Sequence, residues 1–184
     1  QLRDLLSKYL KPGEQLPTPP ESYPVIEIPE IQFEQTAPLF ANLPKPKHST
    51  EILPMEQFNQ GWGSILYRTV IPQDIKGGEL KITEVHDWAQ VYADGKLLAR
   101  LDRRHREFTT KLPVLKKGTQ LDILVEAMGR VNFGWSIHDR KGITEKVEVI
   151  TDGISTPLSN WSVYNLPVDY SFNRRMKYQK SVPQ

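Results

Sequence analysis

The sequence lacks cysteine altogether, which excludes a disulfide framework, a thiolate nucleophile and a cysteine-ligated metal site. It also lacks any apolar run approaching the ~20 residues that a membrane-spanning helix needs. An excess of one charge is nearly absent as well, since 24 basic and 22 acidic side chains leave a formal net charge of only +2. That balance argues against nucleic acid or a membrane surface as the partner.

What is present is typical of one folded domain that is large enough to bury a core. The 184 residues are 38% hydrophobic and 25% charged, a balance found in globular proteins and not in disordered chains. The chain begins without Met and inside a helical pattern, so we expect it to be a fragment of a longer protein. The absence of cysteine does not decide between cytoplasm and periplasm.

One short amphipathic helix is predicted at the start of the chain, in residues 1–11. Leucine and tyrosine recur there at helical spacing with polar side chains opposite, and Pro12 and Gly13 then end the pattern. Nothing else in the sequence is convincingly helical. We therefore expect the apolar stripe of this helix to pack on a neighbouring domain.

A proline-rich linker is predicted over residues 12–54. Nine of the 15 prolines lie between Pro12 and Pro46, and chain of this kind is stiff and cannot pair as a central strand. Within the linker, Val25–Ile28 is expected to form one edge strand.

Beyond residue 55, apolar and polar side chains alternate, which is the pattern of half-buried β-strands. Asp94-Gly95 is typical of a tight hairpin turn, and Gly77-Gly78 and Lys117-Gly118 predict further turns. Many short strands without intervening helices predict a mainly β fold, an antiparallel jelly roll or β-sandwich, over residues 55–166. The predicted strands are Ile65–Ile71, Leu80–Val85, Trp88–Ala93, Lys96–Leu101, Leu121–Ala127, Lys146–Ile150 and Trp161–Tyr164. The side chains expected in the core are Leu80, Ile82, Val91, Leu121, Ile123, Val125, Val147 and Val149.

The stretch Glu126–Ile143 contains the residues that come nearest to an active site. Glycoside hydrolysis needs two facing carboxylates, for which Glu126 and Asp139 are the candidates. However, Glu126 alternates away from the core and Asp139 follows a turn, so we expect both to bind backbone N–H groups of turns. No residue of the chain is therefore predicted to be catalytic.

Glycines and an arginine in the same stretch are expected to build a structural corner with these two carboxylates. Gly129, Gly134 and Gly142 fall where the chain leaves or enters strands, and such positions commonly need φ > 0. Arg130 has several donors and should hold backbone carbonyls across the corner.

Histidines and a basic run have structural interpretations too. His86-Asp87 and His138-Asp139 resemble half of a triad or a metal site. Yet no two histidines have the i, i+4 spacing of a helical zinc site, and no Gly-x-Ser-x-Gly elbow exists. No metal and no cofactor is predicted. Arg100–Arg106 is strongly basic, but Asp102 and Glu107 dilute it, which favours a solvated strand edge over nucleic-acid binding.

Several segments, in order, resemble the β-galactosidases of glycoside hydrolase family 35. They are MEQFNQGWGSILYRT (Met55–Thr69), VHDWAQVYADGK (Val85–Lys96), and LDILVEAMGRVNFG with DRKGI (Leu121–Gly134, Asp139–Ile143). At the ends, LRDLLSKYLKPGEQLPTPP resembles the last helix and exit linker of that family's catalytic barrel, and LSNWSVYNLP resembles the strand that leaves its first β-domain.

The resemblance implies a parent enzyme that removes terminal β-linked galactose with two glutamates on an N-terminal (β/α) barrel. Residues 1–11 would then be the last helix of that barrel, residues 55–166 a galactose-binding-domain-like sandwich, and residues 167–184 the exit towards a second β-domain. No residue here matches either catalytic motif, so the fragment should be inactive alone. Its partners would be the barrel, the second β-domain and, through the parent, β-galactosides. A periplasmic or secreted parent is compatible with the resemblance.

Asn132, Phe133 and Trp135 are the candidates for the rim of the substrate site. Phe133 stands where the family usually has Tyr, in a loop that approaches the barrel mouth in relatives. An aromatic side chain suits contact with a sugar.

Two alternatives stay open: an autonomous carbohydrate-binding module and a purely structural spacer. A binding module would need exposed aromatic side chains, which Trp62, Trp88, Trp135 and Trp161 could supply. Three of the four lie within apolar strand or corner patterns, which favours core packing.

Overall fold

A computed structural model describes residues 1–28 and 30–180, which form two compact units, Gln1–Glu34 and the residues from Gln35 onward. In the first unit, helix α1 (Leu2–Ser7) has no buried residue. The predicted strand at Val25–Ile28 is wrong, because these residues are irregular and exposed. Neighbouring prolines remove N–H donors that a strand ladder needs. None of the described helices is long and apolar enough to cross a membrane.

The second unit is mainly β and antiparallel, as predicted. Its strands within the described residues are, in chain order, β1 (Gln35–Thr36), β2 (Lys47–Ser49), β3 (Ser64–Val70), β4 (Ile75–His86), β5 (Trp88–Ala93), β6 (Lys96–Asp102), β7 (Thr109–Leu115), β8 (Gln120–Glu126), β9 (Gly142–Thr151), β10 (Ile154–Pro157), β11 (Trp161–Leu166) and β12 (Gln179–Lys180), with a short helix α2 (Tyr170–Asn173) before the last.

Two sheets form the sandwich. A six-stranded sheet has the order β2-β11-β3-β8-β5-β6, and a four-stranded sheet has the order β10-β9-β4-β7. One apolar core lies between them and draws side chains from both sheets. All eight predicted core residues are buried, at most 5% exposed, which confirms the alternation.

Turn chemistry explains several of the connections. The predicted hairpin at Asp94-Gly95 joins β5 to β6 with positive φ at both residues, the conformation of a type I′ turn. Lys117-Gly118 forms a turn, as predicted, and the Lys117 N–H donates to a carboxylate oxygen of Asp74 there. Gly77-Gly78, by contrast, is not a turn but lies inside β4. A Cβ on Gly78 would lie 2.5 Å from the carbonyl oxygen of Ile150, so glycine there permits the close approach of β9.

Strand β7, which contains Pro113, is not among the predicted strands. It lies at the edge of the four-stranded sheet, where the missing N–H of a proline is tolerated.

The outer face of the six-stranded sheet is covered by chain that was predicted to be linker and exit segment. Leu39, Leu43, Phe172 and Met176 pack there on Leu66, Tyr164 and Leu166 as a second apolar cluster. Strands β1 and β12 pair beside each other in a separate two-stranded sheet. Parts of residues 12–54 and 167–184 therefore belong to the sandwich itself.

Candidate functional site at the aromatic end of the sandwich

A loop with exposed aromatic side chains joins β8 to β9 at one end of the sandwich. This aromatic loop, residues 127–141, holds the three predicted rim residues. Phe133 is 90% exposed and Trp135 is fully exposed, with Asn132 also exposed beside them. The tip from Val131 to Ile137 contains no charged residue. It offers aromatic surface, one amide and one hydroxyl, which suits a neutral polar ligand better than an ionic one.

The N-terminal arm of the loop is fixed by side chains that the sequence had singled out. Glu126 accepts from the Ser64 hydroxyl at 2.5 Å and from the N–H of Met128 at 3.3 Å, so it does bind a turn N–H. Arg130 donates from Nε to the carbonyl oxygen of Gly61 at 2.7 Å, and its Nη2 lies 2.7 Å from Glu56 Oε1. Beyond Ala127, which is buried in the core, the arm is thus held by polar contacts.

The three corner glycines do not behave alike. Gly134 and Gly142 have φ of +98° and +87°, within the region that favours glycine. The expectation for Gly129 is wrong: Met128 adopts the positive φ of the turn instead, with its N–H held by Glu126. Gly142 has a second requirement, because a Cβ there would lie 2.3 Å from the hydroxyl of Tyr67.

The hydroxyl of Tyr67 is held beside Gly142 by two hydrogen bonds. It donates to the carbonyl oxygen of Leu53 at 2.9 Å and accepts from the N–H of Ile143 at 3.3 Å. Burial raises the pKa of Tyr67, so the hydroxyl stays neutral and able to donate.

Asp139 differs from the expectation that it would bind turn N–H groups. It accepts two hydrogen bonds from the guanidinium of Arg103, at 2.8 and 2.9 Å, and lies 3.0 Å from the ammonium of Lys141. Burial opposes ionisation, but these cations hold the pKa of Asp139 at about 2. The same contacts raise the pKa of Arg103. Asp139 is therefore a fixed anion at neutral pH and has no proton to give as a general acid.

Lys141 ties this end of the molecule together. Its side chain is 2% exposed and lies between Asp139 and Asp87. Its backbone N–H donates to Glu56 at 3.0 Å, and its carbonyl accepts from the N–H of Met55 at 2.8 Å. We call the surrounding set the ion cluster: Glu84, His86, Asp87, Arg103, Asp139 and Lys141.

Arg103 and Lys141 were not recognised as functional candidates from the sequence. The available signals were a lysine in the DRKGI segment and an arginine inside the basic run, neither of which identifies a partner. In the structure, Arg104 pairs with Asp102 at 2.6 Å and holds the pKa of that carboxyl at about 2. Part of the basic run is thus neutralised at the end of β6, which is the edge strand of its sheet.

The four tryptophans divide into two groups. Trp161 is 1% exposed and packs edge to face on Tyr67, and Trp88 is half-buried. Trp135, in the corner stretch, is fully exposed, so the expected core packing is wrong there, and Trp62 is 61% exposed. Both follow a glycine, and Trp135 begins a short 3₁₀ helix, Trp135–His138.

His138, in the aromatic loop, is exposed. Among the described residues, no group of three or more His, Asp or Glu side chains is placed to hold a metal ion.

Comparison with known proteins agrees with this architecture. Residues 53–167 match the model of a family described as "Beta-galactosidase, first all-beta domain". Beta-galactosidase of Xanthomonas manihotis is 33% identical over 168 residues, which are 91% of this chain and 27% of that protein. Beta-galactosidase of Bos taurus is 33% identical over 175 residues, covering 91% of this chain and 26% of that protein.

Beta-galactosidase-1-like protein 3 of Mus musculus is 31% identical over 184 residues, covering 94% of this chain and 27% of that protein. The chain therefore spans about a quarter of the length of these curated relatives. The matched range contains the aromatic loop and every strand of the two sheets except β2, which confirms the resemblance found in the sequence. The chain belongs to the family of the first all-beta domain of beta-galactosidases.

Proposed function

We propose that this chain is the non-catalytic accessory β-domain of a β-galactosidase that releases terminal β-linked galactose. In this proposal it packs on the catalytic barrel of the same parent chain, and the tip of its aromatic loop shapes the entrance to the active site. The observation that carries the proposal is the exposure of Phe133 and Trp135 on a loop whose two arms are both fixed. Exposed aromatic rings on a fixed loop are typical of a binding surface.

Helix α1 supports a neighbouring domain on its own evidence. Its apolar side chains are exposed: Leu2, Leu5 and Leu6 are 69, 51 and 45% exposed. A stripe of leucines at helical spacing is stable in water only when another surface covers it. We assign residues 1–11 to the last helix of the barrel and the irregular chain that follows it to the linker. The C-terminal part of residues 167–184 would be the exit towards a second β-domain.

The chemistry of the tip fits the substrate side of this role. An aromatic ring can pack on the apolar C–H face of a pyranose and exclude water, and neutral Asn132 and Ser136 can hydrogen-bond its hydroxyls. The acid and the nucleophile would come from the barrel. The carboxylates of Glu126 and Asp139 are already hydrogen-bonded to Ser64 and Arg103. We therefore expect no turnover of a chromogenic galactoside by the pure chain.

The test is Phe133→Ala in the parent enzyme, with kcat/KM and melting temperature measured together. We expect kcat/KM to fall several-fold, about 1 kcal/mol for one aromatic contact, with the melting temperature nearly unchanged. Tyr170→Ala is the matched control, since Tyr170 is 79% exposed at the start of α2 and outside the aromatic loop. Unchanged kinetics for Phe133→Ala with a large loss of melting temperature would reduce the loop to a structural corner, as a spacer domain requires.

A second candidate function, an autonomous carbohydrate-binding module, is favoured by the exposure of Trp62 and Trp135. Arg130 connects the loop to Gly61, next to Trp62, so both rings belong to the same end of the sandwich. Titrating galactose and lactose into the isolated chain while following tryptophan fluorescence separates the two. Saturable quenching that Trp62→Ala and Trp135→Ala abolish would support the module, and a flat titration supports the accessory domain.

A further inference from the structure

We propose that two segments on the outer face of the six-stranded sheet, residues 35–50 and 169–180, form a surface that binds a polysaccharide whose sugar rings carry carboxylate groups. We call it the basic surface. It uses none of the residues of the aromatic loop. The choice of a polysaccharide among anionic polymers rests in part on the proposed function, since a β-galactosidase acts on sugars.

The excess positive charge of the sandwich is concentrated in these two segments. Residues 51–168 contain fifteen basic and fifteen acidic side chains, whereas the two segments contain six basic side chains and one acidic side chain. The net charge of +2 for the whole chain therefore conceals a local excess. A surface with one sign of charge attracts polymers of the opposite sign. The six basic residues are all exposed: Lys45, Lys47, Arg174, Arg175, Lys177 and Lys180.

Tertiary contacts join the two segments into one surface. The side chain of Asn42 accepts a hydrogen bond from the N–H of Lys177 at 2.6 Å, and the pairing of β1 with β12 sets Gln35 opposite Lys180. Apolar side chains of both segments also pack together in the second apolar cluster. Basic residues that are more than a hundred positions apart in the sequence therefore lie on the same side of the sheet.

The one acidic residue of the two segments, Asp169, has a structural role. Its carboxylate accepts hydrogen bonds from the N–H of Phe172 at 2.7 Å and from the hydroxyl of Ser171 at 2.8 Å, so it caps helix α2. A single carboxylate can balance at most one of the six positive charges. Most of the positive charge on the basic surface is therefore left for an external anion.

A cleft of about 310 Å³ between the two segments indicates which kind of anion fits. Arg175 is the one charged residue of its lining, which is otherwise mostly apolar, with Leu43, Pro44, Phe172 and Met176. A uronic acid has an apolar C–H face and a carboxylate on the same ring. Such a ring can lay its C–H face on the apolar lining and direct its carboxylate to the guanidinium, which offers two parallel N–H donors. Nucleic acids and acidic peptides do not combine charge with an apolar pyranose face, so the cleft favours the polysaccharide.

The experiment measures the retention of the full-length parent enzyme in native gels that contain polygalacturonate, at an ionic strength of about 0.01 M, where charges are weakly screened. We expect saturable retention that weakens as salt is added. Methyl-esterified polygalacturonate keeps the sugar rings and removes the charges, whereas polyglutamate and single-stranded DNA keep the charges without pyranose rings. Each of these three polymers should bind at least about tenfold more weakly, because it lacks one of the two contacts in the cleft. No retention by polygalacturonate, or equal retention by polyglutamate or DNA, would overturn the proposal.

Variants of the parent enzyme separate the basic surface from charge in general. Arg175→Gln should weaken the binding of polygalacturonate about tenfold. Lys111→Gln is the matched control with less than about a twofold effect, because it removes one exposed charge from β7, in the other sheet. Lys45→Gln combined with Lys177→Gln is a second test outside the cleft lining, for which we expect a loss of about fivefold, and it decides the matter if Arg175→Gln does not fold. An equal loss in Lys111→Gln would overturn the proposal.

Hydrolysis of a chromogenic galactoside by the same enzyme tests the proposed function separately. Retention without hydrolysis would refute the β-galactosidase and support the basic surface. Hydrolysis without retention would overturn the basic surface alone.

Discussion

The interior between the two sheets and the aromatic end of the sandwich contain the same kinds of side chain but bury them to opposite degrees. Trp161 and Tyr67 lie in the interior with at most 1% of their surface exposed, whereas Phe133 and Trp135 at the aromatic end are almost entirely exposed. The interior is ordered by apolar packing from both sheets. The aromatic loop is ordered by Arg130 and the ion cluster, which hold its arms and leave its rings free. Polar anchoring of this kind lets a loop present apolar surface without burying it.

The test with the largest expected effect replaces one tryptophan in each of the two regions. We expect Trp161→Ala to lower the free energy of unfolding by about 4 kcal/mol, because it removes a fully buried ring and leaves a cavity. Trp135→Ala should change it by less than about 0.5 kcal/mol, because that ring has no buried surface to lose. Urea unfolding of both variants measures the difference. Comparable losses for the two would mean that the aromatic end packs on other parts of the chain.

A second test changes the glycine at which the two regions meet. Gly142→Ala should cost about 3 kcal/mol, since it combines a positive φ with a Cβ placed 2.3 Å from the Tyr67 hydroxyl. Gly153→Ala is the matched control: its φ is also positive, at +78°, but open space surrounds it, so about 1 kcal/mol is expected. The difference between the two, from denaturant midpoints, isolates the close approach. Equal costs would show that backbone conformation alone requires glycine at residue 142.

A third, smaller effect is the acid sensitivity of the ion cluster. The pKa of Asp139 falls from 3.8 to about 2 on folding. Its ionised form therefore stabilises the fold above about pH 4, and this contribution is lost as pH falls towards about 2. A shift of this size corresponds to roughly 2 kcal/mol. Asp139→Asn should be less stable than wild type by about that amount at pH 6, with the gap closing on acidification. A gap that is independent of pH would assign the loss to packing instead of charge.

Alternation and turn chemistry by themselves determined much of the sandwich. All seven strands predicted beyond residue 55 are present, because a strand with one buried face must place apolar side chains at every second position. Asp94-Gly95 specified its hairpin through two residues that tolerate positive φ. Strand β7, with Pro113, was not predicted, and the turn predicted at Gly77-Gly78 is wrong. Proline is tolerated on an edge strand, and Gly78 permits the close approach of β9 to β4.

At the aromatic end, the sequence determined the chemistry and the tertiary structure decided the arrangement. In the sequence, the run from Asn132 to Trp135 indicated an aromatic loop. Arg130 was expected to bind a backbone carbonyl, and it does. The ion cluster was not predictable, because it joins residues 84–87, Arg103 and residues 139–141, whose spacing along the chain follows no local period. Exposure of Trp62 and Trp135 was equally a tertiary result, since burial depends on which surfaces the folded strands bring together. Periodicity records which face of an element is apolar, but only the packed structure decides which charges meet and which rings remain uncovered.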